Sequence, residues 1–265
     1  MKTIEILKHD ISRKDHADTA VLILCAGSGE RWGNHLGIPK QLIRFCGETL
    51  LHRTLRLLKE NGVSNVICVT RDSRLMLEEI PSLEPEHCAY TVETLLSTSQ
   101  LWARRTIVLL GDVYFTRHAM RKIIAFDGKL GVFGRPWPSA YSHSNHGEIF
   151  GMSFDASTAK EVESVANMAR NLAIKGERGN LWDFYHCFTG LPLNSGRAES
   201  KFFRPIDDLT NDFDTPGYYE KVAVRYHLAS SKRIIDKALL AACLASLAPM
   251  HLIGRLTKRS RVRKT

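Results

Sequence analysis

Short apolar runs alternate with helical hydrophobic patterns along most of the chain. Residues 63–70 and 106–110 are rich in β-branched and other apolar side chains, as strands buried on both faces of a sheet must be. This alternation predicts an α/β fold in which helices cover both faces of a mostly parallel sheet, giving three layers. Strands are predicted near residues 20–25, 64–70, 88–92, 106–111, 129–134, 147–154 and 201–206.

The helical patterns fill the segments between these strands and continue beyond the last of them. Helices are predicted over residues 49–61, 73–80, 94–103, 116–126, 156–174, 180–188, 215–225 and 231–247. The pattern divides the chain into an N-terminal extension (1–19), one main domain (20–228) and a basic helical C-terminal extension (229–265). Ligands of such sheets bind at the carboxyl ends of the strands, so the residues that follow the strands are the first candidates for chemistry.

The composition is that of a globular protein, with 44% apolar and 25% charged residues in 265 positions. The net charge of +9 suits partners that carry phosphates, either nucleic acid or small phosphorylated molecules. Six cysteines without a C-x-x-C pair indicate reduced thiols rather than a zinc site or disulfides. The first residues lack the apolar core of a secretory signal, which predicts a cytoplasmic protein, and no run reaches the ~18 apolar residues of a membrane span.

The most informative stretch is residues 21–41, which read VLILCAGSGERWGNHLGIPKQ. An apolar strand leads into a loop with Gly27 and Gly29, where the backbone can approach a ligand closely. Arg31 and Lys40 bring positive charge to the same loop, as a site for a nucleotide's phosphates requires. The spacing does not fit a P-loop, and Gly27, Gly29 and Gly33 are one residue too widely spaced for a Rossmann fingerprint.

The stretch resembles the signature of nucleotidyltransferases with a GT-A-like fold, a group of NTP transferases that includes the sugar-phosphate and MobA-like enzymes. That signature has a glycine loop with an arginine, a Pro-Lys pair, and then a glycine followed by two apolar residues. The matching residues are Leu24, Cys25, Ala26, Gly27, Ser28, Gly29, Glu30, Arg31, Trp32, Gly33, Pro39, Lys40, Gly47, Glu48, Thr49, Leu50 and Leu51. Cys25 replaces the usual first alanine and Thr49 the usual proline.

The resemblance implies a GT-A-like α/β domain over about residues 20–228 that binds a nucleoside triphosphate and a phosphorylated acceptor. Arg31 and Lys40 would be the catalytic cations that offset the charge of the reacting phosphates. The nucleotide would contact the loop and the end of the central strand, through Ala26, Gly27, Ser28, Gly29 and Gly111. Glu93, Thr94 and Ser97 occupy the place where relatives contact the base and ribose, although a hydroxyl-capped turn between strand and helix explains them equally well.

Gly111 and Asp112 follow a buried strand, which places a carboxylate at the carboxyl edge of the sheet. In the family that this chain resembles, the corresponding aspartate binds the Mg²⁺ that bridges the reacting phosphates. An alternative is that Asp112 caps the next helix, but Thr116, immediately before the helical pattern, is the more natural cap.

A second acidic group lies in the sequence Asp212-Phe213-Asp214-Thr215-Pro216. Alternation along an extended segment puts both carboxylates on one side and Phe213 on the other. The resemblance favours Asp214, directly before Thr-Pro, as the second metal ligand. The alternative that Asp214 or Thr215 only caps a helix stays open, since Pro216 is a common first helical residue.

The resemblance thus implies a Mg²⁺-dependent enzyme that transfers a nucleoside monophosphate to a phosphorylated acceptor, such as a sugar 1-phosphate or similar alcohol phosphate, and releases pyrophosphate. The product would be a nucleotide-activated sugar of the kind used in polysaccharide synthesis. Two alternatives are a GT-A glycosyltransferase that uses a nucleotide sugar, and a non-catalytic module that binds nucleotides or membranes. We expect no nucleic acid partner.

The C-terminal extension combines an apolar helical stretch with a cationic segment at 254–265. Such an end could touch an anionic membrane weakly. We favour a helix that packs on the domain or forms a homodimer, followed by a solvated basic segment.

Overall fold

The computed structural model describes residues 18–136, 147–193, 198 and 201–230, and also 234–235, 238–239 and 241–242. Its strands are β1 (Thr19–Leu24), β2 (Arg44–Phe45), β3 (Glu48–Thr49), β4 (Val66–Val69), β5 (Ser82–Leu83), β6 (Arg105–Leu110), β7 (Val113–Tyr114), β8 (Leu130–Arg135), β9 (Glu148–Asp155), β10 (Phe203–Pro205) and β11 (Asn211–Asp212). Its α-helices are α1 (Leu50–Glu60), α2 (Thr91–Leu96), α3 (Arg117–Ile124), α4 (Ala159–Ile174), α5 (Leu181–Thr189) and α6 (Pro216–Ser230).

The central sheet has the strand order β10-β8-β9-β6-β1-β4-β5. All neighbouring strands in it are parallel except at β9, which runs antiparallel to both β6 and β8. The prediction of a mostly parallel sheet is therefore confirmed. Because β1 is flanked by parallel strands on both sides, the loop that follows it opens at the carboxyl edge, where ligands of such sheets bind.

Two apolar layers cover the sheet, and alternate residues of β1 face opposite layers. Val21 and Ile23 pack in the layer that includes α1 and α3. Leu22 and Leu24 pack in the layer that includes α2, α4 and α5. These two layers and the sheet between them are the predicted three-layer architecture, and burial of both faces explains the continuous apolar run of this strand.

A third, smaller cluster lies beside the glycine loop (residues 25–33). It joins Trp32 of the loop, Phe45 of β2, Tyr114 of β7, Phe213 and Val222 of α6. The rings of Phe45 and Tyr114 meet edge to face with their centroids 4.7 Å apart. This cluster ties the loop, the short strands and the last helix together around one edge of the sheet.

The prediction of a strand at 88–92 is wrong, because α2 begins there. Tyr90 precedes the helix in an extended conformation, and its backbone N–H donates to the Glu93 carboxylate at 3.4 Å. The predicted helix at 73–80 is also wrong, since only a 3₁₀ turn forms at Ser73–Leu75. The Asp72 side chain caps this turn, and the backbone is already extended at Met76, shortly before Pro81.

The helix predicted at 94–103 is shifted, because α2 spans Thr91–Leu96 and only a 3₁₀ turn follows at Ser99–Leu101. The other predicted helices and strands of the main domain occur within about five residues of their expected bounds. The two-residue strands β2, β3, β5, β7 and β11 are additions that the hydrophobic pattern did not predict. The division into 1–19, 20–228 and 229–265 stays a prediction, because residues 1–17 and most of the C-terminal extension, including 254–265, lie outside the described residues.

Candidate active site

The glycine loop leaves β1 at the carboxyl edge of the sheet. Gly29 and Gly33 have φ values of 65° and 62°, which side chains other than glycine rarely adopt. The Gly33 N–H donates to the Gly29 carbonyl at 3.2 Å, so the two glycines bracket a single turn. A Cβ at Gly27 would meet nothing within 4 Å, so this position leaves open space above the backbone.

The start of the loop lines an open depression of about 480 Å³. One wall consists of Cys25, Ala26, Gly27 and Ser28, and the opposite wall of residues 71–74 after β4. In that opposite wall Arg74 pairs with Asp72 at 2.6 Å. Three of the predicted nucleotide-contact residues, Ala26, Gly27 and Ser28, therefore line one common space, whereas Gly29 is not part of its lining.

The cations predicted from the signature meet the two predicted metal-ligand carboxylates. The Lys40 ammonium contacts the Asp112 carboxylate and lies 3.7 Å from Asp214 Oδ1. Arg31 donates to Asp214 Oδ2 at 2.6 Å. The Lys40 and Asp112 side chains are 15% and 16% exposed, whereas that of Arg31 is 71% exposed, so the lysine pair forms the enclosed part of the site.

Asp112 reaches Lys40 because the ends of β6 and β1 pack closely. The Gly111 N–H donates to the Leu24 carbonyl at 3.0 Å, and a Cβ at Gly111 would collide with the Cys25 sulfur. Glycine is therefore required for this approach, which delivers the next side chain to the lysine. The alternative role of Asp112 as a helix cap is wrong, because Thr116 caps α3 by accepting from the Ala119 N–H at 3.0 Å.

The late acidic segment returns to the site through a short strand pair. In the antiparallel pair of β11 and β7, Asp212 is opposite Val113. Phe213 is fully buried in the third cluster, while Asp214 faces Arg31 and Lys40. Thr215 caps the start of α6, since its hydroxyl accepts from the Tyr218 N–H at 3.3 Å. The Asp214 carboxylate instead contacts Arg31 and Lys40.

The third carboxylate, that of Asp212, lies in the same field of charges. Burial raises its pKa well above the usual range, the charges of Glu148, Asp214 and Asp112 raise it further, and Lys40 acts in the opposite sense. A raised pKa means that this carboxyl favours its neutral form, so Asp112 and Asp214 are the carboxylates that contact Lys40 and the exposed Arg31.

Among the described residues, no group of three or more His, Cys, Asp and Glu side chains forms a complete metal site. Magnesium does not require one, because it is usually held by one or two carboxylates together with substrate phosphates and water. Asp112 and Asp214 present hard oxygen donors beside the same lysine. The donor set therefore fits Mg²⁺ bound together with a nucleotide.

Glu93 and Thr94 lie on α2 and Ser97 caps its C-terminus, and the side chains of all three contact nearby backbone. Glu93 accepts from the Tyr90 N–H at 3.4 Å, and Thr94 donates to the Tyr90 carbonyl at 3.4 Å. Ser97 donates to the Glu93 carbonyl at 3.0 Å. The contact at the start of the helix thus comes from the Glu93 carboxylate and not from a hydroxyl, as the capped-turn alternative had it. A role of these residues in nucleotide binding stays a prediction.

A buried arginine, which the sequence did not single out, holds the segment before the late aspartates. Arg135 at the end of β8 is 2% exposed and donates to Glu148 Oε2 at 2.7 Å and to Asn211 Oδ1 at 3.0 Å. It also donates to the carbonyls of Asp208 at 2.9 Å and Thr210 at 2.6 Å. One guanidinium therefore fixes the backbone that leads into Asp212.

We expect Arg135→Met to lower the free energy of unfolding by about 3–5 kcal/mol, because it leaves the buried Glu148 carboxylate without its cation. Urea titration followed by far-UV circular dichroism measures the change. Arg104→Met is the matched control, since Arg104 and its partner Asp18 are both mostly exposed and should change stability by less than about 1 kcal/mol. Equal losses of unfolding free energy in the two variants would contradict the role of Arg135 in fixing this backbone.

The G-E-T-L-L part of the signature forms a hairpin and a helix start. Cys46 and Gly47 have φ values of 56° and 89° between β2 and β3, as a tight hairpin turn requires. Thr49 accepts from the His52 N–H at 3.2 Å and so caps α1, which explains why threonine serves where relatives have proline. Glu48 accepts from Arg53 at 2.7 Å and from Arg56 Nε at 2.9 Å.

The hydrogen bond from Arg56, with that from Arg53, lowers the pKa of Glu48 although burial raises it. A lowered pKa in the folded protein means that this stabilisation is complete above the unfolded value of about 4.3 and is lost as pH falls through the folded value. We expect Glu48→Gln to reduce the free energy of unfolding by about 1–3 kcal/mol at pH 7 and by progressively less below about pH 4. Denaturant titrations across pH test this, with the 86% exposed Glu86→Gln as control. A difference that grows on acidification would contradict it.

Residues 21–131 match the family described as the MobA-like NTP transferase domain. This stretch of the chain is therefore similar to the NTP transferases of that family. The match begins in β1 and ends in β8, so it includes the glycine loop, Lys40 and Asp112 but not Asp214. The resemblance inferred from the signature is therefore confirmed.

A segment of the chain is also similar to a named protein from Thermococcus kodakarensis, the bifunctional IPC transferase and DIPP synthase. The two are 49% identical over 51 residues, which is 19% of this chain and 11% of that protein. The matched segment is thus a small part of the relative.

Solved structures share the fold of the NTP transferase domain. A proposed glucose-1-phosphate thymidylyltransferase from Bacillus anthracis has a TM-score of 0.56 at 11% identity, covering 77% of this chain and 94% of that one. The CTP:phosphocholine cytidylyltransferase from Streptococcus pneumoniae has a TM-score of 0.51 at 15% identity, covering 78% and 98%. At these identities the likeness establishes the predicted nucleotidyltransferase-type α/β fold. No helix among the described residues is long and apolar enough to cross a membrane.

Proposed function

We propose that the protein is a Mg²⁺-dependent nucleotidyltransferase that joins a nucleoside monophosphate to a phosphorylated acceptor and releases pyrophosphate. A sugar 1-phosphate or a similar alcohol phosphate is the acceptor class. The observation that carries the proposal is the meeting of Lys40 with Asp112 and Asp214 beside the glycine loop. The family of residues 21–131 supports the same reaction type.

The chemistry needs little from the protein by way of acid or base catalysis. The second pKa of a phosphate monoester is about 6, so the attacking oxygen of the acceptor is already mostly anionic near neutral pH. Attack on the α-phosphorus forms the new P–O bond and breaks the bond to the pyrophosphate leaving group. The main cost is to bring two anions together, and fixed positive charge and backbone N–H groups offset it.

Lys40 acts as a fixed cation in this scheme. Burial lowers its pKa, but the charge and hydrogen bond of Asp112 and the charges of Asp214 and Asp212 raise it, and the net effect is a raised pKa. The ammonium is therefore protonated at neutral pH and serves to bind phosphate oxygens rather than to accept a proton. Arg31, which is mostly exposed, adds a second cation at the mouth of the site.

Asp112 and Asp214 would hold the magnesium ion. When bound, Mg²⁺ supplies charge neutralisation at the phosphates of the triphosphate. The open depression beside residues 25–28 is the proposed place for the nucleotide, with the glycine loop against its phosphates.

The deciding experiment measures pyrophosphate release. The protein is incubated with Mg²⁺, each nucleoside triphosphate in turn, and a panel of sugar and alcohol phosphates, and the nucleotide product is identified by mass spectrometry. We expect pyrophosphate only when triphosphate, acceptor phosphate and Mg²⁺ are all present, with one activated product for each pyrophosphate.

Two other outcomes would replace the proposal. Release of a nucleoside mono- or diphosphate from a nucleotide sugar, without pyrophosphate, would identify the GT-A glycosyltransferase alternative. Binding of nucleotides without turnover of any triphosphate would identify a non-catalytic module.

A further inference from the structure

The positive charge of the chain is concentrated at one end. Residues 229–265 hold nine Lys and Arg and one acidic residue, which gives 9 − 1 = +8 of the total net charge of +9. The remaining 228 residues, with 28 cations and 27 acidic residues, are nearly neutral. The net charge therefore does not reflect the nucleotide site, and it requires a separate explanation in the extension.

The described positions of the extension form an exposed apolar surface, which we name the extension face. All its positions are helical and exposed, and they are Ile234, Ile235, Ala238, Leu239, Ala241 and Ala242. Their spacing of three, four and seven residues places them on one side of a helix. Ile234 is 86% exposed, Ile235 60% and Leu239 52%, so these side chains do not pack on the domain.

Packing on the domain, one of the two roles that the sequence favoured for this helix, is therefore not what the extension face does. Large apolar side chains at such exposure indicate an interaction surface when they are clustered. Here three of them lie within six residues, next to Lys232, Arg233 and Lys237 in the sequence.

We propose that the extension face, with the Lys and Arg residues near it in the sequence, binds an anionic lipid surface. Apolar residues on one side of a helix together with many Lys and Arg are the features of interfacial membrane-binding helices. The uncharged run that begins at Ala238 meets Pro249 far short of the ~20 residues needed to cross a bilayer, so the segment lies on the surface.

Charge distinguishes lipid from a second copy of the chain as the occupant. The segment 254–265 carries Arg255, Lys258, Arg259, Arg261, Arg263 and Lys264 and no acidic residue. A second copy of the chain would add the same positive charge again, whereas anionic headgroups would neutralise it. The apolar face likewise favours lipid over nucleic acid, which would leave it in water.

Co-sedimentation of the full chain with vesicles tests the proposal. We expect binding to vesicles of phosphatidylcholine with phosphatidylserine, weaker binding at high salt, and little binding to phosphatidylcholine alone. The triple variant Ile234→Ser, Ile235→Ser, Leu239→Ser should bind at least about tenfold more weakly, because it removes buried apolar area. Arg259→Gln, Arg261→Gln, Arg263→Gln should lose roughly 100-fold and most of the salt dependence.

A matched control uses exposed apolar residues elsewhere. Met168, Ile174 and Val224 are 52%, 67% and 59% exposed, and their replacement by serine should leave vesicle binding unchanged. Equal losses in the two serine variants, or no vesicle binding by the wild-type protein, would overturn the proposal. A dimer seen by analytical ultracentrifugation without lipid, and broken only by the extension-face variant, would assign the surface to a second copy instead.

Discussion

The variant Asp112→Asn should fold like the wild-type protein and lose about 10³-fold or more in kcat. Asparagine keeps the shape of the side chain but removes the charge that contacts Lys40 and would hold Mg²⁺. Fixed electrostatic groups at reacting phosphates are worth several kcal/mol in the transition state, and the loss of a metal ligand belongs at the upper end. Stability should fall by less, about 1–2 kcal/mol, because Lys40 retains Asp214 3.7 Å away.

Pyrophosphate release under saturating substrates measures the effect, and a thermal melt checks the fold. Asp18→Asn is the matched control, because it makes the same change in an exposed ion pair far along the chain. We expect the control to keep full activity. An Asp112→Asn protein that turns over normally at all Mg²⁺ concentrations would remove the metal assignment and leave the similarity of residues 21–131 to NTP transferases unaffected.

The parts of the site that the sequence predicted are those with a local signal. Gly29 and Gly33 adopt φ values that favour glycine, so their spacing marks the loop. Asp112 follows an apolar strand, and strand ends at the carboxyl edge of a parallel sheet are places for ligands. Because successive side chains of an extended segment point to opposite sides, the sequence alone predicts that Asp214 faces away from the side on which Phe213 is buried.

The parts that could not be predicted depend on pairing between distant segments. Arg135 is 13 positions from Glu148 and 76 from Asn211, and only the register of β8 with β9 and the return of β11 brings them together. No periodicity distinguishes such an arginine from one on the surface. The strand expected at 88–92 was wrong for a related reason: its apolar residues suit either element, and the Glu93 carboxylate bonding to the Tyr90 N–H settles it as a helix start.

Replacement of the lysine should be as damaging as replacement of the aspartate, by a different route. Lys40→Met keeps the aliphatic stem of the side chain but removes the cation shared by Asp112 and Asp214. We expect kcat/KM to fall about 10³-fold or more, because the triphosphate loses an enclosed positive charge both on binding and in the transition state. Lys40→Arg should recover only part of this, since a planar guanidinium cannot occupy the position of a compact ammonium.

Lys40→Met should also change the stability of the protein and its response to Mg²⁺, which a measurement of activity would not show. Without Lys40, the carboxylates of Asp112 and Asp214 lose the cation that both contact, and the free energy of unfolding should fall by about 3 kcal/mol in the absence of metal. A divalent cation can then take the place of the ammonium, so Mg²⁺ without nucleotide should raise the melting temperature of Lys40→Met more than that of the wild type. Lys59→Met, an exposed lysine on α1, should change neither activity nor the response to Mg²⁺. If Lys40→Met melts like the control and ignores Mg²⁺, these aspartates do not form the cation site on which the proposed reaction depends.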